Sequence, residues 1–441
     1  MTTRHILAAA SLVLALASCD FDIQNPNSPE PIGSNPSRPQ VAATATGLLI
    51  GSRGYIADFV LDIGIVGREA YRFDGSDPRF STELLGQDGA VLDAGSGAFG
   101  GDHWFEMYRN IRSANQLLAV IGTAQALTAQ EQDAVRGFAH TLQALDFLFI
   151  LNARTQDSIP IAVGTDPTAA PAPFVTRTQA FASIETLLDQ AVTELTNGGA
   201  SFPFPLTSGY TGFDTPATFI QFNRAIKARV DAYQGDWAGV LTDLAGSFID
   251  PAQSLDRGVY HTYSTGAGDI NNTIHQSVVE NYAHPQLADS AQLQVGGAPD
   301  DRFVRKTFAR PSNTSGGLTS AVGLRRYEGP ASSIPTIRNE ELILLRAEAN
   351  INLNQLGPAL TDLNTVRVNS GLLTAYGALP DQATAINALL YERRYSLLFE
   401  GGHRWIDMRR YGRLNQLPVD RVGDLIFSTF PVPTDEVLAR Q

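Results

Sequence analysis

The stretch from Tyr391 to Gly412, YERRYSLLFEGGHRWIDMRRYG, constrains the fold of this 441-residue chain more than any other. Eight charged side chains (Glu392, Arg393, Arg394, Glu400, Arg404, Asp407, Arg409 and Arg410) are threaded through Tyr391, Tyr395, Leu398, Phe399, Trp405 and Met408. Tyr391, Tyr395, Leu398 and Phe399 recur at helical spacing, which predicts one stripe facing a core. Opposite charges fall at i,i+4 (Glu400 and Arg404) and i,i+3 (Arg404 and Asp407). That spacing builds an ion-pair lattice if the helix runs through Gly401 and Gly402. Arginines beside aromatics also suit an anion or nucleic-acid site. The interleaved carboxylates favour a partly buried structural clamp instead, with guanidinium forks tied to carboxylates and stacked on rings.

The E-R-R, F-E-G-x-R and D-x-R-R pattern, carried by Glu392, Arg393, Arg394, Phe399, Glu400, Gly401, Arg404, Asp407, Arg409 and Arg410, resembles the C-terminal signature of the SusD/RagB family. Members of that family are surface lipoproteins that cap TonB-dependent (SusC-like) outer-membrane transporters and capture glycans or peptides. The chain departs from the pattern at Gly402-His403, inserted before Arg404. In the family this motif is scaffold, so the resemblance and the physics both place the ligand site elsewhere.

Cys19 is the only cysteine, so neither a disulfide framework nor a thiolate metal site is available. Its position has its own logic. Arg4 makes a short basic n-region, an apolar run from Ile6 to Ala17 follows, and small residues lead to Cys19. This is a secretory signal, too short to span a bilayer. Leu16-Ala17-Ser18-Cys19 resembles a bacterial lipobox, in which residues 1–18 are removed and Cys19 becomes the lipidated first residue. With no other run of about 18 apolar residues, the expectation is a chain anchored to a membrane by lipid and not spanning it. From Asp20 to Gln40 five prolines (Pro26, Pro29, Pro31, Pro36 and Pro39) predict an extended tether. Asn25-Pro26-Asn27, after Asp20 and Asp22, also resembles the family's early mature region.

The net charge of −13 and pI near 5.0 argue against a nucleic-acid partner, because no basic face emerges easily from that background. A charged fraction of 17%, with many Gly, Asn, Ser, Thr and Tyr, suits a surface that hydrogen-bonds neutral polar ligands.

Helical periodicity predicts elements over Val41–Ile65 and His103–Ile121, then a helix capped by Thr128 and Glu131 with Val135, Phe138, Leu142, Leu145 and Phe149 as its core stripe. A further amphipathic helix covers Thr178–Leu195 and stops at Asn197-Gly198-Gly199. Tyr108, Ile111, Ala114, Asn115 and Leu118 resemble a family element, and Ser158-Ile159-Pro160 its G-x-[IV]-P turn without the glycine. Phe219–Leu244 and Glu340–Val366 read as two similar helix pairs. Ala228 precedes Leu241-Thr242-Asp243-Leu244 by 13 residues, and Ala347 precedes Leu360-Thr361-Asp362-Leu363 by the same 13. A small residue at one crossing and leucines on the partner is how tetratricopeptide-like hairpins nest. Pro358 is expected at the first position of the second helix of its pair.

The insert between the pairs, residues 248–337, is the least regular part, rich in Gly, Ser, Asn and Asp. A loop this long inside a compact protein is usually functional or disordered. Family resemblance makes it the ligand-recognition region. Sugar binding needs flat aromatic faces flanked by amides, carboxylates or guanidinium groups. The residues with those neighbours are Tyr260 and Tyr263 near Asp269, Asn271 and Asn272, and Tyr282 beside Asn281. Trp104, after the glycine-rich loop, could present its ring at a helix start. Packing against the scaffold is the competing role for each. A mixed-charge loop of Arg68, Glu69, Tyr71, Arg72, Asp74, Asp77 and Arg79 offers a surface for a partner protein.

No catalytic constellation is visible. The histidines lack paired-ligand spacing, no G-x-S-x-G turn occurs, and Gly95–Gly100 (formally GxGxxG) lacks the strand and acid of a dinucleotide site. Asp300-Asp301 has the residue types of a glycosidase dyad but no readable separation. Asp269 has no complete calcium loop around it, so neither metal nor cofactor is expected. The fold expected is mainly α, a tetratricopeptide-like superhelix over residues 41–441 with a loop-rich ligand face. The function implied by the resemblance is capture of oligosaccharide or peptide at the cell surface, outside the outer membrane, and hand-over to a TonB-dependent barrel. A lipid-anchored protein-only scaffold and a surface glycan-cleaving enzyme are the alternatives.

Overall fold

A computed structural model of the chain describes residues 32–95, 99–155, 159–267, 269–276 and 280–441. Cys19, the signal and most of the tether lie outside them, as do Ser158 and three residues of the Gly95–Gly100 stretch. The tether ends earlier than its prolines imply. Helix α1 (Arg38–Gly54) starts at Arg38, and Pro39 fits its first turn, where an N–H has no helical partner. Helix α2 (Ile56–Val66) follows after Tyr55, so the expected single helix is two. Strand β1 (Ala70–Arg72) comes next, then α3 (Phe99–Ile121) and α4 (Ala129–Asn152).

Helix α4 is the centre of the molecule. The Thr128–Glu131 capping box fixes its start, and nearly every residue from Ala134 to Asn152 is buried. It is long and apolar enough to cross a membrane, but its burial between α3 and α5 (Arg177–Asn197) makes it a core helix. The short strands β2 (Ile159–Pro160) and β3 (Phe174–Val175) precede α5. Tyr108 donates to the Pro160 carbonyl at 2.8 Å and Asn115 to that of Val163 at 2.7 Å, so these two polar residues of α3 bind the chain leaving α4.

The two helix pairs are α6 (Pro216–Gln234) with α7 (Trp237–Ala245), and α8 (Asn339–Asn352) with α9 (Leu356–Asn369). Ala228 and Ala347 are fully buried, Ala228 in one core cluster with Leu244 and Ala347 in another with Leu363. In both pairs the aspartate of the Leu-Thr-Asp-Leu run binds an arginine of the preceding helix. Arg224 reaches Asp243 at 3.1 Å, and Arg346 reaches Asp362 at 2.6 Å. Pro358 sits two residues inside α9 rather than at its first position, still within the turn that needs no donor. Helix α10 (Gln382–Ser396) covers α8 and α9, and α11 (His403–Arg410) packs against α10 and α2.

The insert is not the irregular loop expected from its composition. Strand β4 (Gly258–His261) pairs with β8 (Ile334–Arg338), and β5 (Asn281–Ala283), β6 (Thr307–Ser315) and β7 (Leu318–Leu324) join β1 in an antiparallel sheet of order β1-β5-β7-β6. The strands are short or solvated, so their two-residue alternation is faint. Much of the supposed partner-facing loop is withdrawn: Tyr71 is a buried residue of β1, Arg68 is buried on the carbonyls of Leu85, Pro418 and Leu425, Glu69 is buried against the Phe399 N–H, and only the part from Arg72 onward remains near the surface.

Candidate functional site

The charge-dense segment breaks where the sequence left a choice. Helix α10 ends at Ser396, Phe399 and Gly402 take left-handed backbone conformations (φ 57° and 71°), and α11 restarts at His403. The Glu400–Arg404–Asp407 lattice therefore does not form, because its spacing exists only on a continuous helix. Each carboxylate finds other partners. Asp407 accepts from Arg393 at 2.6 Å and from Arg410 at 3.1 Å, and Arg410 also binds Glu348 at 2.6 Å. Glu392 joins Arg302 at 2.6 Å to Arg367 at 2.9 Å. Arg409 stacks on Trp405 and donates to the carbonyls of Asn152 and Ser428, while Arg394 reaches Gln286. Arg404 faces the buried Glu69 without a close ion pair, and burial lowers its pKa to about 10.

Glu400 is the member of the segment that reaches an opening. Lys306 (2.9 Å), Arg326 (3.0 Å) and Arg338 (2.9 Å) surround it. Burial alone would raise its carboxyl, but the three cations outweigh that and hold it well below the usual carboxylate range. Above it lies an open cleft of about 470 Å³, walled by the short helix Asp301–Lys306, the 325–333 loop and the β4–β8 pair. Asp256, Tyr260, Arg305, Arg325, Glu328, Ser332, Ser333 and Glu340 complete its lining. A second lobe of about 350 Å³ continues it past Asp256, Arg305 and Glu340 towards Gln253, Ser254, Asn369 and Ser370.

The lining is built for hydrogen bonding. Tyr260 donates its hydroxyl to the Asp256 carbonyl, and burial pushes its pKa up to about 12, so it stays protonated. Arg325 is held by the Val304 (2.8 Å) and Arg305 (3.2 Å) carbonyls and has no carboxylate partner among the described residues. Burial pushes the Glu340 carboxyl upward, and Arg338 and Lys306 more than offset it, to about 2. A glycosidic acid must hold its proton near neutral pH. Glu340 and Glu400 are tuned the opposite way. Asp300 and Asp301 are no dyad either: Asp300 is fully buried against Arg302 at 2.6 Å, and Asp301 pairs with Arg305. No cluster of metal-ligating side chains occurs among the described residues.

Of the six ligand candidates from the sequence, the cleft contains Tyr260 alone. Trp104 is 1% exposed, packed against Tyr108, Phe174 and the Arg154 guanidinium, so its ring is not presented to solvent. Tyr263 is buried with its hydroxyl on the Arg53 carbonyl, and Asp269 pairs with the Arg53 side chain. Asn271 is half-buried nearby. Tyr282 lies under Arg310, whose guanidinium sits 3.8 Å from its ring centre. These residues stabilise three separate places in the fold and do not converge. The cleft residues that sequence reasoning passed over are Arg305, Arg325, Arg326, Glu328 and Arg338. The signal available was the run Arg325-Arg326-Tyr327-Glu328, with charged side chains at three of four consecutive positions.

Residues 321–432 match the SusD family. No curated protein matches the chain. Among solved structures, a SusD superfamily protein from Bacteroides vulgatus is similar over 91% of this chain and 97% of its own, with TM-score 0.71 and 14% identity. A SusD-like carbohydrate-binding protein from Bacteroides fragilis is similar over 91% and 98%, with TM-score 0.70 and 15% identity. A laminarin-binding SusD-like protein is similar over 91% and 98%, with TM-score 0.65 and 17% identity. The family match falls on the buried ion network that closes the cleft floor, and the fold agrees along nine-tenths of the chain. Residues 321–432 thus carry the SusD family match, and the chain has the fold of the SusD-like proteins.

Proposed function

We propose that this chain is a non-catalytic, lipid-anchored surface protein that captures oligosaccharide, or peptide, and delivers it to a TonB-dependent outer-membrane transporter. The observation that carries the capture step is the open cleft over Glu400. It is mainly polar, walled by guanidinium, carboxylate and serine hydroxyl groups, with one tyrosine ring on its side. Sugar hydroxyls need such mixed donors and acceptors, and a pyranose needs one flat face to rest on. Similar proteins described as carbohydrate-binding support this reading. Anchoring rests on the lipobox resemblance at Cys19, and the transporter partner on the resemblance to the SusD family over residues 321–432.

The test is a glycan and peptide array screen of soluble protein beginning at Asp20, followed by calorimetry on each hit. Tyr260→Ala is expected to weaken binding about tenfold with an unchanged far-UV circular dichroism spectrum. A blank on both arrays, together with no barrel co-purifying from native membranes, would replace capture by a protein-only scaffold. Release of sugar products from polysaccharide would instead establish an enzyme. Protease shaving of intact cells reports the facing, since a periplasmic protein is protected.

A further inference from the structure

Phe308 stands on β6 with 38% of its surface exposed. An exposed phenylalanine is ordinary by itself, but this one is seated. Phe308 on β6 and Tyr282 on β5 both pair with Gly323 on the intervening β7, so the three lie in one row across the sheet. A Cβ on Gly323 would come within 2.4 Å of two Phe308 ring atoms and 2.9 Å of Cδ of Arg310. The missing side chain is what lets the Phe308 ring lie over the neighbouring strand while the residue keeps 38% of its surface exposed. It also lets Arg310 cross β7, so that its guanidinium stacks 3.8 Å from the Tyr282 ring centre and stands 5.9 Å from that of Phe308. Arg310 further donates to the Asn281 carbonyl at 3.5 Å.

This row continues the cleft. Arg325 donates its backbone N–H to the Lys306 carbonyl at 3.0 Å, one step beyond the Thr307–Leu324 pair, and both Arg325 and Lys306 line the cleft. Phe308 and Gly323 are each two residues from those positions, about 7 Å along an extended strand. That is the length scale of one sugar ring.

We propose that Phe308, with Arg310 beside it, is an outer sugar-contacting position of the cleft. The exposed ring stacks on the apolar face of a pyranose while the guanidinium bonds that sugar's hydroxyls. The inference rests on the carbohydrate-binding reading above and adds a second contact point to it.

The experiment uses soluble protein from Asp20 on an array carrying laminarin, starch, arabinoxylan and polygalacturonate, then calorimetry with the bound glycan and its shortest bound fragment. Phe308→Ala is expected to weaken the long glycan about tenfold and leave the short fragment unchanged. Phe308→Trp should retain both, and thermal melting of the two variants should match the parent. Unchanged affinity of Phe308→Ala for the long glycan overturns the outer position while leaving carbohydrate capture intact. Equal losses for long and short glycans also overturn it, since the ring would then act on the whole cleft. A parent protein blank for all four glycans removes the carbohydrate reading, and the outer position with it.

Discussion

At the scale of single residues, buried charge is managed by surrounding each carboxylate with several cations. Glu400 is the clearest case, because Lys306, Arg326 and Arg338 all point at it. Removing one partner from a buried pair leaves uncompensated charge, which costs about 3–5 kcal/mol. Glu400→Gln is therefore expected to lower unfolding free energy by about that amount in urea titrations. A loss below about 1 kcal/mol, the range of surface pairs, would mean the cluster is solvated. Asp146 behaves in the opposite sense. Burial pushes its pKa up to about 7, although the Tyr55 hydroxyl and the Asn110 amide both donate to it. A carboxyl whose folded pKa exceeds its unfolded value binds its proton more tightly when folded. Its contribution is complete below about pH 4, where both states are protonated, and disappears as pH rises towards 7. Glu69, also pushed up to about 7 by burial, acts over the same window. Glu340, at about 2, contributes stability that is lost as pH falls below about 4. Asp146→Asn should flatten the decline in thermal midpoint between pH 4 and 7, and an unchanged slope would assign that titration elsewhere.

At the scale of elements, the break between α10 and α11 decides where Glu400 goes. Gly402 is needed there for two reasons: its φ is 71°, and a Cβ would lie 2.2 Å from Cγ2 of Ile63 on α2. The apparent insertion before Arg404 is thus the joint that seats α11 on α2. Gly402→Ala is expected to cost about 1–3 kcal/mol, the range for overpacking a core, read from the urea midpoint. An unaffected midpoint would mean that the joint moves freely. Periodicity and capping residues made most long helices readable: Thr128 with Glu131 marks α4, and the two alanine–leucine spacings mark the α6–α7 and α8–α9 pairs. The strands escaped because β1 and β5 are three residues long and β6 is mostly solvated, so no alternation of apolar side chains accumulates.

At the scale of the whole molecule, α1, α3, α5 and α6 pack on α4, the α8–α9 pair joins them through α6 and α7, and the strand-bearing insert and the α10–α11 joint enclose the cleft. The proposed lipid anchor is tested at this scale too. Cys19→Ala is expected to move the protein from the membrane pellet to the soluble fraction after cell disruption, and retention in the pellet would disprove lipidation at Cys19. What the sequence determined by itself was the class of frame. Helix periods, caps and the Glu392-to-Arg410 pattern are local, and each is enforced within a few turns of chain. The cleft was decided by tertiary structure alone. Glu400, Arg338, Lys306, Arg326 and Tyr260 come from separate segments, and no local rule relates them. The misjudged aromatics have the same cause. Trp104, Tyr263 and Tyr282 carry the chemistry of sugar contact, yet whether a ring faces solvent or a neighbour depends on what packs over it. For Tyr282 that neighbour is Arg310, which leaves Phe308 as the exposed ring of the row.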